Sequence, residues 1–166
     1  LQGEWDMKLI AALAAALLTT AAHAQPGHPA HKIVPADEVA WVAGPPSLRP
    51  GAQAAVLYGD PAKDGLFVMR LRLPAGFRIA PHTHPRPEIL TVISGAFHIG
   101  MGTVADASKA QRLPAGSFFA FDPGLAHYAH VEEDTVVQLS STGPWTINYV
   151  DAADDPRRAA APERGK

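Results

Sequence analysis

Sixteen prolines and fourteen glycines are spread along the 166 residues, and they cut the chain into short pieces. Proline inside a helix or central strand forfeits a backbone hydrogen bond, and glycine marks turns. Between these breaks lie apolar runs of strand length, at 54–58, 66–73, 88–94, 96–101, 117–121, 127–131, 135–140 and 145–150. Short runs separated by turn signals predict an all-β sandwich or barrel rather than a helical bundle. An apolar share of 47% is enough to build a core, and the length suits one domain.

Charge narrows the function classes. Fourteen Lys+Arg stand against sixteen Asp+Glu, so a basic surface for nucleic acid is not expected. The chain has no cysteine. That removes disulfides, thiolate metal ligands and cysteine nucleophiles. Met7-Lys8-Leu9, the Ala/Leu-rich run 10–18 and Ala22-His23-Ala24 together have the form of a signal peptide over 7–24, cut after Ala24. The run is too short to span a membrane. Export to the periplasm or secretion is the expectation, with no membrane partner. Leu1 to Asp6 precede the first methionine and read as a remnant or a mis-called start. The expected organisation is a leader over 1–24, an N-terminal linker and arm over 25–52, a β domain over 53–150 and a flexible tail over 151–166.

Within the domain, strand parity separates inside from outside. Phe67, Met69, Leu71 and Leu73 share one face of their run, and Arg70 and Arg72 share the other. The two arginines suit a solvated or subunit-facing edge better than an anion site. Pro35 to Trp41 predicts a short helical turn whose tryptophan plugs a barrel end. Runs 88–94 and 96–101 predict a hairpin around Ser94-Gly95. Glu88, Leu90 and Val92 point one way, and Ile89, Thr91 and Ile93 the other. Because both faces are apolar, the outer one needs cover, which points to a homodimer. Residues 102–111 read as a polar connection. Tyr58, Tyr128 and Tyr149 are expected to pack at barrel ends rather than to move protons.

The chemistry gathers in Pro81-His82-Thr83-His84-Pro85-Arg86-Pro87-Glu88. In an extended chain His82, His84 and Glu88 share parity, so two imidazoles and a carboxylate converge on one face. Imidazole suits Zn, Cu, Fe and Ni, and carboxylate suits harder ions such as Mn. The three prolines limit backbone freedom and preorganise this arm. A fourth candidate, His127, follows the turn Asp122-Pro123-Gly124. By parity Ala129 lies inside with His127, while His130 and His98 lie on the opposite face, away from the site.

These two stretches resemble the cupin family. Gly76, His82, His84, Glu88 and Gly95 match every fixed position of its first motif, and Gly116, Gly124 and His127 match its second. Asp122 stands where the family has proline and Val131 where it has asparagine. Those departures touch a turn and a supporting polar group, not a ligand. The resemblance runs from about Gln53 to Val150. It implies a double-stranded β-helix, or jelly-roll, cupin barrel. It also implies one divalent transition metal on His82, His84, Glu88 and His127, with two coordination positions left for a small-molecule ligand or substrate. The metal stays open among Fe, Mn, Ni, Cu and Zn. Leu90, Val92, Phe97, Phe119 and Phe121 are expected to line an apolar interior. Two functions fit this set. One is an exported metal-dependent enzyme, a dioxygenase-like oxidoreductase or an isomerase. The other is a non-catalytic metal- or ligand-binding module. The fold hosts both.

Overall fold

The computed structural model describes residues 31–159. The leader and the first part of the linker, with His23 and His28, lie outside the described residues, as does the end of the tail. Among the described residues no helix is long and apolar enough to cross a membrane. A 3-10 turn at Ala36–Glu38 opens the domain where a helical turn was expected.

Strands β1 (Val42–Ala43), β2 (Gln53–Tyr58), β3 (Gly65–Leu73), β4 (Arg78–Thr83), β5 (Glu88–Ser94) and β6 (Ala96–Met101) make the first half. The second half contains β7 (Gln111–Pro114), β8 (Phe118–Phe121), β9 (His127–His130), β10 (Thr135–Gly143) and β11 (Asn148–Tyr149). A six-stranded sheet runs in the order β1-β2-β3-β10-β5-β8, and a five-stranded sheet in the order β11-β4-β9-β6-β7. Every pairing is antiparallel. This is a double-stranded β-helix, as the resemblance implies. Each strand turns its apolar set inward, and β3 alternates cleanly, with Phe67, Met69, Leu71 and Leu73 all buried. Their partners from the facing sheet include Ile79, Phe97, Ile99 and Ala129.

Several expectations need correction. Strands β5 and β6 do not form a hairpin. The first pairs with β10 and β8 and the second with β9 and β7, so Gly95 is the corner at which the chain leaves one sheet for the other. Its φ is +73°, and a Cβ there would press on the Asp134 carbonyl and Thr135, so the corner requires glycine. The expected connector over 102–111 holds a 3-10 turn at Ala107–Lys109, and β7 begins only at its last residue, Gln111. Trp41 does not plug the barrel: it lies under the Arg72 guanidinium, 4.2 Å from its ring centroid. Arg72 also donates to Gln53 Oε1 and Arg70 to Gln138 Oε1, which suits a solvated face rather than an anion site, although β3 is an inner strand and not an edge. Residues 151–159, expected as a frayed tail, contain a 3-10 turn at Ala152–Asp154 and a helical turn at Pro156–Ala159. Arg157 pins this segment by donating to Thr146 Oγ1 and the Ile147 carbonyl.

Candidate metal centre

The four predicted ligands come from both sheets. His82 lies on β4 and His127 on β9, which are neighbours in one sheet, whereas Glu88 opens β5 in the other. His84 sits just beyond β4, in the Pro-rich turn between them. The shared parity of His82, His84 and Glu88 therefore reaches the right residues by the wrong route. The chain reverses between His84 and Glu88, and the carboxylate approaches from the opposite wall. A register shift in the β4–β9 pairing, between Ile79 and His82, brings His82 directly opposite His127. Such a bulge re-aims the side chains that follow it. Without it, Ile79 and His82 could not both face the interior.

One donor atom from each of His82, His84 and His127 lies within 4.8 Å of the others. Glu88 Oε2 stands 3.0 Å from His127 Nε2 and 3.7 Å from His84 Nε2. All four residues are buried. Each imidazole uses its Nδ1 on a backbone carbonyl: His82 on Ala80 at 2.7 Å, His84 on Thr146 at 2.8 Å and His127 on Leu125 at 3.0 Å. A carbonyl only accepts, so each Nδ1 must carry the proton. In the neutral rings every Nε2 is then a bare lone pair. These lone pairs and the Glu88 carboxylate form a cluster of acceptors with no donor between them. His84 Nε2 and Glu88 Oε2 are buried with no hydrogen-bond partner, an arrangement that costs free energy unless something positive sits there.

A proton is a poor candidate for that charge. Burial holds His82 down to about 3, and the neighbouring His127 and His84 push the same way. Burial also lowers His84, outweighing the opposing pull of Glu88. Protonating His127 would satisfy its own contact with Glu88 and leave His84 Nε2 with nothing. The donor set thus fits a divalent metal ion. Fixing each ring by its far nitrogen on a carbonyl is also how metal-ligating histidines are oriented.

The surroundings are apolar. Leu71, Leu73, Leu90, Phe97, Trp145 and Ile147 are among the residues lining the interior beside the cluster, where the free volume is about 20 Å³. That is room for one water-sized group, far below what a drug-sized ligand occupies. Of the expected lining residues Leu90 and Phe97 are present, while Phe119 and Phe121 pack against the core beside them. Trp145 is the residue that the sequence did not reveal. Its ring stacks on His84 with centroids 4.2 Å apart and 17° between planes, and it meets Phe67 edge-on. Nothing in a lone tryptophan after Gly143-Pro144 signals that position. Tyr128 donates to the Asp106 carbonyl and Tyr149 to the Ser47 carbonyl, each at 2.7 Å, whereas Tyr58, expected to pack, is exposed. Burial, with the nearby Asp155 charge adding to it, pushes Tyr149 up to about 12.

The family model described as Domain of unknown function (DUF4437) matches residues 15–148. Germin-like protein subfamily 2 member 1 of Arabidopsis thaliana is 37% identical over 65 residues, which are 39% of this chain and 30% of that protein. The chain spans about a third of the length of the germin-like relatives of this kind. An RmlC-like cupin from Shewanella frigidimarina superposes with a TM-score of 0.50 at 16% identity, covering 64% of this chain and 86% of that one. An acetylacetone dioxygenase from Acinetobacter johnsonii superposes with a TM-score of 0.58 at 19% identity, covering 79% of this chain and 85% of that one.

Proposed function

The chain is a cupin of the family described as Domain of unknown function (DUF4437), and from that membership and its cluster of buried acceptors we propose that it is a metal-dependent enzyme acting on a small molecule, with dioxygenase-like oxidation favoured. The observation that carries the reading is the convergence of three Nε2 lone pairs and one carboxylate with no donor among them. His82, His84, Glu88 and His127 would hold the ion. Bound there, a redox metal supplies the one-electron chemistry that dioxygen needs, and Zn²⁺ would supply Lewis acidity instead.

The chain's own residues supply positioning and exclusion of water. Trp145 covers one side of His84 and fixes the plane of that ring. Leu71, Leu73 and Phe97 line the same space with apolar surface, and a low-dielectric lining strengthens the electrostatics inside. The titratable residues lining the space are His82, His84 and Glu88, all in the cluster itself. A separate general acid or base is therefore missing from these walls, which favours oxidation over isomerisation or hydrolysis, where a proton must be moved. The small free volume limits the substrate to a compact molecule unless Trp145 swings aside.

The same two observations, no spare acid or base and little space, also favour a second reading, a metal-binding cupin without turnover. Oxygen uptake separates them. Protein loaded with Fe²⁺, Mn²⁺ or Cu²⁺ is incubated with small β-dicarbonyls and catechols. Consumption of dioxygen matched to substrate loss supports the enzyme, and stoichiometric metal with no uptake supports the binding module.

Two further parts belong to this reading. Export of the chain is supported by the signal-like segment 7–24. A homodimer is supported by the outer face of the larger sheet, where Ile89, Ile93 and Phe118 are exposed. The β5–β8 register sets Phe118 opposite Thr91, on the same face as Ile89 and Ile93.

A further inference from the structure

The outward face of the smaller sheet carries a row of basic and imidazole side chains across four strands. Arg78 on β4 pairs with His130 on β9, His130 with His98 on β6, and His98 with Arg112 on β7. Directly opposed positions on an antiparallel pair bring side chains into contact. The two imidazoles accordingly lie with centroids 4.5 Å apart and 33° between planes. Glu132, two residues beyond His130, places Oε2 3.9 Å from His98 Nε2. One donor atom from each of His98, His130 and Glu132 lies within 4.8 Å of the other two.

We propose that His98, His130 and Glu132 form a second metal site, facing outward and separate from the barrel interior, that takes a borderline divalent ion such as Zn²⁺ or Cu²⁺. Two imidazoles and a carboxylate with one open position are a known ligand set for tetrahedral zinc. Ligand atoms around such an ion stand about 3.4 Å apart, so the observed spacing closes with side-chain rotation alone. The Glu132 side chain is 73% exposed and can make that movement, whereas the imidazoles are packed and preset.

The flanking guanidiniums raise the question of an anion instead. Arg112 is paired with Glu133 at 3.6 Å, which offsets its charge. Glu132 sets a carboxylate against His98, which repels an anion and attracts a cation. Hard ions such as Mg²⁺ and Ca²⁺ prefer oxygen ligands and are not expected here.

The test is calorimetric titration of metal-stripped full-length protein with Zn²⁺. Wild type and the variants His98→Ala, Glu132→Gln and His84→Ala are compared. The site predicts that His98→Ala binds one Zn²⁺ fewer than wild type. It also predicts that Glu132→Gln binds the outer ion at least tenfold more weakly, and that the outer ion persists in His84→Ala. This last arm keeps the outer site independent of the barrel reading, because each can fail alone. Equal Zn²⁺ stoichiometry in wild type and folded His98→Ala overturns the proposal. Glu132 is solvent-exposed, so Glu132→Gln is expected to fold, and an unchanged isotherm for it overturns the proposal too. So does a wild type that takes up inorganic phosphate at this row and no outer Zn²⁺.

Discussion

Single residues carry the sharpest tests of the interior cluster. Glu88→Gln replaces an acceptor with a group that also donates. Its amide N–H can reach a histidine Nε2, so the metal-free protein should gain about 0.5–1.5 kcal/mol. The same change removes the negative charge that a cation needs, so the rise in Tm on adding Zn²⁺ or Mn²⁺ should shrink. Thermal unfolding in chelator and in excess metal measures both signs, and a Gln variant less stable than wild type in chelator contradicts the acceptor cluster. In the core, Leu139 is fully buried; Leu139→Ala should cost about 2–5 kcal/mol in urea unfolding at unchanged m-value. The four cluster residues were legible in the sequence because their spacing in two short motifs is distinctive. Trp145 was not, since its place beside His84 comes from chain reversal far from either motif. The meeting of His98 and His130 was half legible: parity put both outside, but only the β6–β9 register makes them neighbours.

At the scale of elements, alternation told the faces of β3 and β5 correctly, and it failed where the chain bends. The shift between Ile79 and His82 on β4 and the corner at Gly95 leave little trace in a hydrophobic pattern. A glycine between two strands reads as a hairpin, and it takes three-dimensional pairing to show that the strands part. Gly95→Ala would force a side chain into a left-handed backbone and against Asp134, so a loss of about 1–3 kcal/mol is expected. A variant as stable as wild type in urea would show that this corner is not tight. The C-terminal turn makes a pH prediction. The Arg157 guanidinium beside Asp155 holds its carboxyl below the ordinary 3.8. A depressed carboxyl stabilises the docked turn in full above that value, and the contribution is lost as pH falls through the lowered one. The amide shift of residue 157, whose N–H donates to Asp155 Oδ1, should therefore stay constant from neutral pH to about 4 and move toward that of Arg157→Ala only below it. Movement centred near neutrality would assign the docking to another group.

For the whole molecule, proline and glycine punctuation pointed to an all-β domain, and the two motifs to its barrel. Neither the order of strands in the sheets nor the docking of 151–159 could be read, because both depend on contacts between distant segments. The exposed Ile89, Ile93 and Phe118 make the assembly testable. Light scattering should give twice the chain mass for wild type, and Ile93→Glu should shift it toward one chain. A monomeric wild type at micromolar concentration would remove the homodimer. The buried acceptors are expected to hold a metal ion, which elemental analysis reads out. Protein purified without chelators and desalted is analysed for Fe, Mn, Ni, Cu and Zn beside His84→Ala. One transition-metal equivalent fewer is expected in the variant than in wild type. A folded wild type that neither carries nor takes up such an ion, or a variant that keeps the full content, would contradict it.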